Sequence, residues 1–351
     1  MKTLIEHRKK LLVNVPDIAG LGGVANHYLG LKPYWNCNIR YHSIGKKKYR
    51  KIYTPVSIIK FVLTLLVFKP NVILLNPSLG KGALRRDFFY LNIAKALRFD
   101  VSIFIHGFSL EYAEKANWKW IITNLNKAGH IIVLAQAFKD ILIERGLTTD
   151  IHISTTKVSD YMIEGFDIND RTGEVKSILF LSRIEKAKGV FEAVQTYSML
   201  KTKYPYLKMR IVGDGTALPE LKQFVNNNNI KNVTFTGGLS GQAVIEEYKN
   251  ADFFFFISYG EGMPTVVLEA MAFGLPVVTR AVGGLCDFFE DGKMGRMIDS
   301  LKPEDFIGMI EPYITNKEFT KRTSVYNHLY AKEHFLASKV AKQLENILLY
   351  D

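Results

Sequence analysis

Short apolar runs alternate with segments of helical period along nearly the whole chain, and this alternation most limits what it can fold into. Residues 10–15, 38–44, 71–76, 101–106 and 130–134 read as strands. A second series follows at 177–182, 208–213, 232–237, 252–258, 276–279 and 295–298. Amphipathic stretches separate most of them, which predicts α/β architecture with parallel sheets covered by helices. Between the two series lies a polar stretch, 159–176, with Gly165, Asp167, Asn169, Asp170 and Gly173. The domain boundary is expected there. Residues 319–350 read as a terminal helical segment.

With 351 residues and 48% hydrophobic side chains, the chain has material for two folded domains, not for a disordered polymer. Its two cysteines, Cys37 and Cys286, exclude a disulfide scaffold and a Cys-rich zinc site, and fit a reducing cytosol. No apolar run reaches the roughly 20 residues that span a bilayer. The charged first ten residues do not read as a signal peptide.

The net charge of +12 is unevenly placed. Between Asp17 and Asp87 there is no acidic residue but twelve Lys and Arg. Five of them, Lys46, Lys47, Lys48, Arg50 and Lys51, precede the apolar stretch PVSIIKFVLTLLVF at 55–68. Basic residues beside an apolar helix suit an anionic membrane surface. The alternative is a buried helix followed by a strand, beside a solvated loop. Nucleic acid fits less well, because aromatic interleaving and zinc-finger or RNP patterns are absent.

In open parallel sheets, ligands bind beyond the carboxyl ends of the strands, so the loops there carry the chemistry. The run Tyr259-Gly-Glu-Gly-Met-Pro-Thr-Val-Val-Leu-Glu269 follows a strand. Pro264 suits the first position of a helix, whose free N–H groups form an anion site. Gly262 permits close approach of a ligand. Glu261 and Glu269 stand roughly 12 Å apart along a helix, far enough to accept hydroxyls at opposite ends of one ligand. Otherwise they are an ordinary N-terminal acid and a surface residue. Arg183 and Lys188 bracket the loop before Gly189, and a fork and a point charge suit a diphosphate, or simply a solvated basic loop. Gly213-Asp-Gly215 and Gly237-Gly238-Leu239 end other strands. The second suits backbone approach to a flat base, although a simple turn would look the same. In the first half, Gly20-Leu-Gly22-Gly23 precedes a helix, and His106 ends a strand where it can hydrogen-bond a sugar or handle a proton. Asn76-Pro-Ser78 ends its neighbour.

Together Arg183–x4–Lys188-Gly189, the E-x7-E of EGMPTVVLEA and MAFGLPVVTRAVGG resemble the donor half of retaining family 4 glycosyltransferases. GLGGV and His106-Gly107 are similar to that family's glycine loop and strand-end histidine. The resemblance implies a GT-B fold, two Rossmann-like domains with parallel sheets facing a central cleft. The expected division is an acceptor domain at 1–165, a donor domain at 166–330, and a helix at 331–351 crossing back. It implies a nucleotide diphosphate sugar as donor, with UDP favoured over GDP or ADP, and retention of configuration. Arg183 and Lys188 would grip the diphosphate, with backbone N–H groups at Thr265 and Val266. Glu261 and His106 would contact the transferred sugar, and Glu269 the ribose. Gly22, Gly23, Gly237, Gly238, Leu239, Gly262, Met263 and Pro264 complete the expected donor site. The family often carries an aromatic or small polar residue where Gly262 and Met263 stand, which bears on the choice of sugar.

No D-x-D motif is present, since Asp167-Ile-Asn-Asp170 has the wrong spacing, and no metal is expected. The expected acceptor is a glycan or a lipid-linked precursor at the cytoplasmic membrane face, with no nucleic acid partner. Three alternatives stay open. A sugar-nucleotide epimerase would need more acid–base groups in the first half. A non-catalytic sugar-nucleotide-binding subunit would have no need of the intact charged set. A membrane-recruitment protein would bind vesicles without turnover.

Overall fold

The computed structural model describes residues 8–16, 22–44, 50–108 and 110–350. It divides into two compact units, 1–157 with 337–351, and 158–336.

The first unit runs β1 (Lys10–Val15), α1 (Gly23–Leu31), β2 (Asn38–Ser43), α2 (Arg50–Phe68), β3 (Val72–Leu75), β4 (Ser78–Leu79), α3 (Lys81–Ala96) and β5 (Asp100–Phe104). It continues with β6 (Gly107–Phe108), α4 (Leu110–Lys115), α5 (Trp118–Leu125), β7 (His130–Val133), α6 (Gln136–Glu144) and β8 (Asp150–Ile153). Six strands form one parallel sheet in the order β2-β1-β3-β5-β7-β8. Leu12, Ile73, Leu75, Val101, Ile103, Ile131 and Val133 are fully buried in its core, where apolar strands lose contact with water. The sequence reading omits β8. Its DIHI is four residues long, half-buried and at the sheet edge, so no apolar run marks it.

The second unit contains β9 (Ser177–Leu181), α7 (Val190–Lys203), β10 (Lys208–Val212), α8 (Leu218–Asn227), β11 (Val233–Gly237), α9 (Gln242–Asn250) and β12 (Phe253–Phe256). Next come α10 (Thr265–Ala272), β13 (Val277–Arg280), β14 (Gly295–Ile298), α11 (Ile307–Thr315) and α12 (Lys317–His334). The sheet order is β11-β10-β9-β12-β13-β14, again all parallel. Four consecutive phenylalanines, Phe253 to Phe256, are buried because β12 is an inner strand covered on both faces. The polar stretch before β9 is tied into this unit by Arg171. Its guanidinium donates to the carbonyls of Phe273 (2.9 Å), Tyr248 (2.8 Å), Lys249 (3.1 Å) and Ala251.

The chain then breaks at Phe335-Leu336 and returns to the first unit as α13 (Ala337–Leu349). Val340, Ala341, Leu344 and Leu348 are buried, and α13 packs against α1. The Glu345 carboxylate accepts from the Asn36 N–H at 2.9 Å. The terminal helical segment read from sequence is therefore two helices serving different units.

Candidate active site

In the second unit β9 comes first in the chain but lies inside the sheet, between β10 and β12. The connections after β9 and after the adjacent β12 run to opposite sides of the sheet, so the loops after these strands flank a topological switch point, where ligands of open α/β sheets bind. These two loops are locked together. Tyr259 N–H donates to Ala187 O at 2.9 Å, and Tyr259 Oη donates to Glu192 Oε1 at 2.6 Å. That bond is the main reason the phenol is pushed up to about 12. Gly189 has φ +70°, and a Cβ there would lie 1.9 Å from Ile257 O. Only glycine lets the loops approach this closely.

Across the seam, the Lys188 ammonium pairs with the Glu261 carboxylate. The side chains are 18% and 17% exposed, so solvent screens the pair weakly. Arg183 is exposed at the same edge. Beside it, the Glu185 carboxyl is held below its ordinary range, chiefly by hydrogen bonds from Thr216 and then by Arg183. Thr216 itself follows Gly213-Asp-Gly215. A Cβ at Gly213 would meet Ser182 O at 1.8 Å, and one at Gly215 would meet Ile184 O at 2.3 Å. Those two glycines therefore seat one loop upon another. Gly237 has φ +76° with nothing within 4 Å of an added Cβ, and Gly238 is exposed. With Leu239 they leave backbone open beyond β11.

Pro264 is the N-cap of α10, one residue earlier than the sequence position read for it, with φ −75° and ψ 97°. No side chain caps the helix, whose first turn begins at Thr265 and Val266. Met263 is buried. The half-buried Glu269 accepts from Tyr248 Oη at 2.8 Å. Burial, then the Glu269 charge, pushes that phenol well above its ordinary value, so it remains a donor.

Sequence reasoning missed three contributors. Tyr248 carries no motif and reads as an apolar position of α9. Arg280, at the end of β13, donates to Ser258 O at 3.2 Å and pairs with Asp299. Its strand-end position was the available signal. Gly283 has φ +53°, and a Cβ there would lie 2.2 Å from Gly262 O, which also accepts from the Gly284 N–H at 2.8 Å. The glycine pair of TRAVGG thus holds the Glu261-Gly262 backbone.

In the first unit, β1 is likewise internal, between β2 and β3. Residues 17–21 of the glycine loop lie outside the described residues. Gly22 and Gly23 are exposed, with nothing within 4 Å of an added Cβ. His106 follows β5, and its Nε2 is 3.0 Å from Asn76 Oδ1. Tyr28 Oη donates to the same oxygen at 2.6 Å. Asn76 Nδ2 donates to Asn14 O at 3.0 Å and Leu74 O at 3.3 Å. Those carbonyls fix the amide orientation, so Oδ1 is the acceptor and His106 Nε2 carries the proton. Burial lowers His106 to about 3, leaving a neutral ring with Nδ1 as acceptor.

The structure thus brings Lys188 and Glu261 into contact, places Arg183 and Glu269 in the same unit, and places Gly22, Gly23 and His106 in the other. Among the described residues no group of three His, Cys, Asp or Glu could hold a metal ion.

Two parallel sheets, each wound in both directions from an internal first strand, are the Rossmann-like units of the GT-B fold. Anabaena Alr3699/HepE, solved with UDP-glucose, superposes with a TM-score of 0.74 at 17% identity, over 96% of this chain and 98% of that one. Sucrose-phosphate synthase from Thermosynechococcus elongatus gives 0.71 at 15% identity over 97% and 98%. Residues 164–329 match the family model for glycosyl transferases group 1. A curated relative, sulfoquinovosyl transferase SQD2 of Arabidopsis thaliana, is 25% identical over 232 residues, 62% of this chain and 44% of that protein. The chain spans less than two thirds of the length of the curated relatives it matches first.

The remaining sequence-predicted residues concern the acid-free segment. Lys46, Lys47 and Lys48 lie outside the described residues, as do the side chains of Arg50 and Lys51. The stretch at 55–68 is a helix followed by a strand, β3, but the helix is buried on one face only. It is the body of α2, with Phe61, Leu65 and Phe68 buried. On its other face Val56, Ile59, Leu63, Leu66 and Val67 are 45–75% exposed. No helix of the described residues is long and apolar enough to cross a membrane.

Proposed function

We propose that the protein transfers a sugar from a nucleotide diphosphate sugar, with UDP as the nucleotide, to an acceptor presented at an anionic membrane surface. The observation that carries the transferase reading is the Lys188–Glu261 pair at the β9/β12 switch point, beside the uncapped start of α10. Transfer breaks the bond from the anomeric carbon to the diphosphate oxygen and builds negative charge on the leaving group. Lys188, Arg183 and the N–H groups at Thr265 and Val266 would stabilise that charge, the largest single contribution a protein can make here. Glu261 would accept hydroxyls of the transferred sugar while holding Lys188 in place. Glu269, oriented by Tyr248, would accept the ribose hydroxyls, and the open backbone at Gly237, Gly238 and Leu239 would face the base.

UDP is favoured because HepE, with the same fold, was solved with UDP-glucose. Retention follows the family resemblance. Attack on the leaving-group face forms the new carbon–oxygen bond as the old one breaks, and the acceptor proton passes to the departing phosphate oxygen. His106 would contact the sugar through Nδ1. With cations at the diphosphate, no metal is required. The membrane part rests on the exposed apolar face of α2 and the basic residues preceding it. This reading places the protein on the inner face of the cytoplasmic membrane.

Thermal unfolding with UDP, UDP-glucose and GDP-mannose, with and without EDTA, tests the donor site. UDP compounds should raise Tm equally with and without EDTA. Lys188→Ala should lower turnover by about 10²-fold, by analogy with losing one oxyanion donor. No shift with any nucleotide, or full turnover in the variant, would overturn the assignment.

A further inference from the structure

Outside the donor unit, a cavity of about 430 Å³ opens among α3, α4 and α5, lined by Lys81, Arg85, Tyr112, Lys115, Asn117 and Trp120. Three of these side chains are cations and none is a carboxylate. Lys81 and Arg85 are exposed, stand four residues apart, and so share one face of α3. Among the described residues neither has an ion-pair partner. Like charges at this spacing repel, so the arrangement favours an anion between them. Trp120 is half-buried and packs edge-on against Phe88 at 5.0 Å, and Tyr112 is half-buried as well. Two half-buried aromatic rings beside a cationic cluster match a ligand with both a ring and a charge. The volume is at the small end of the usual range for small-molecule sites.

We propose that this cavity binds a glycosyl phosphate, the phosphate meeting Lys81, Arg85 and Lys115 and the sugar ring lying against Trp120 and Tyr112. A phosphate-bearing acceptor of this kind rests on the transferase reading, whereas binding itself does not. The phosphate can belong to a soluble sugar phosphate or to a lipid carrier.

Calorimetric titration in saturating UDP, which occupies the donor site, should show α-D-glucose 1-phosphate binding more tightly than inorganic phosphate. Methyl α-D-glucopyranoside should not bind. Lys81→Ala with Arg85→Ala should weaken glucose 1-phosphate about tenfold or more. Trp120→Leu should weaken it several-fold with little effect on inorganic phosphate. Both positions tested for charge are exposed, and an unchanged Tm will show that the double variant folds. A parallel arm uses phosphatidylcholine vesicles with and without polyprenyl phosphoglucose. Loss in the soluble arm assigns a free sugar phosphate, loss confined to the vesicle arm assigns the lipid-borne one, and either supports the cavity. Equal binding by wild type and double variant in both arms overturns it. If UDP does not stabilise the protein but glucose 1-phosphate still depends on Lys81 and Arg85, the donor reading falls and the cavity stands.

Discussion

Asn76 shows how much one side chain can decide. By donating to two backbone carbonyls it turns its oxygen toward Tyr28 and His106, and so sets which nitrogen of His106 bears the proton. Tyr248 does the same for Glu269. Tyr248→Phe removes the donor but keeps the ring. Stability should fall by about 1 kcal/mol, and the donor KM should rise several-fold with kcat little changed. Unaltered UDP affinity would show that Glu269 needs no such orientation. The buried histidines make a second prediction. Burial is the first cause lowering His27, His42 (to about 4) and His106 (to about 3). Between about 6.5 and those values the unfolded chain binds protons that the folded chain refuses. Stability is therefore full above pH 6.5 and falls as the pH drops, by about 1.4 kcal/mol per pH unit for each histidine kept neutral. Thermal scans from pH 7 to pH 4.5 should show a steep fall in Tm, less steep in His42→Gln. A flat profile would contradict the burial of these rings. The positions of Arg183, Lys188 and Glu261 in strand-end loops, and of Glu269 within the helix that follows, were legible in the sequence because turn and helix-start chemistry is local. Tyr248 was not, since it acts through a contact between segments distant in the chain, and Arg280 offered only its strand-end position.

Among elements, α2 departs most from what its sequence suggests. Its residues are apolar nearly throughout, and an all-apolar helix is normally buried all round. Here only Phe61, Leu65, Phe68 and their neighbours meet the sheet, while Val56, Ile59, Leu63, Leu66 and Val67 stay outside. Ile59→Ser with Leu63→Ser and Val67→Ser should leave Tm nearly unchanged, because these side chains are already solvated. Cosedimentation with vesicles containing phosphatidylglycerol should drop sharply, and salt should weaken what remains. Wild-type binding by the triple variant would remove the membrane role. The inner strands were legible because burial on both faces demands continuous apolar runs. The edge strand β8 was not, because half-burial leaves DIHI without a pattern.

For the molecule as a whole, the chain leaves its first unit after Lys157 and returns to it at Ala337. The first unit is thus completed by its last-made helix. Deleting residues 337–351 removes buried Val340, Ala341, Leu344 and Leu348 and the Glu345 contact with Asn36. Limited proteolysis should then cut within 8–157 while 158–336 stays protected and still binds UDP. Equal protection of both units would show that α13 is dispensable. The sequence by itself determined the parallel α/β class, the inner strands and the charged loop residues, because periodicity and turn chemistry are local properties of neighbouring residues. Tertiary structure decided which loops share a switch point, which glycines are needed for close approach, which face of α2 is left outside and where α13 docks. Each of these depends on strand order and packing between residues far apart in the chain, and no local pattern encodes them.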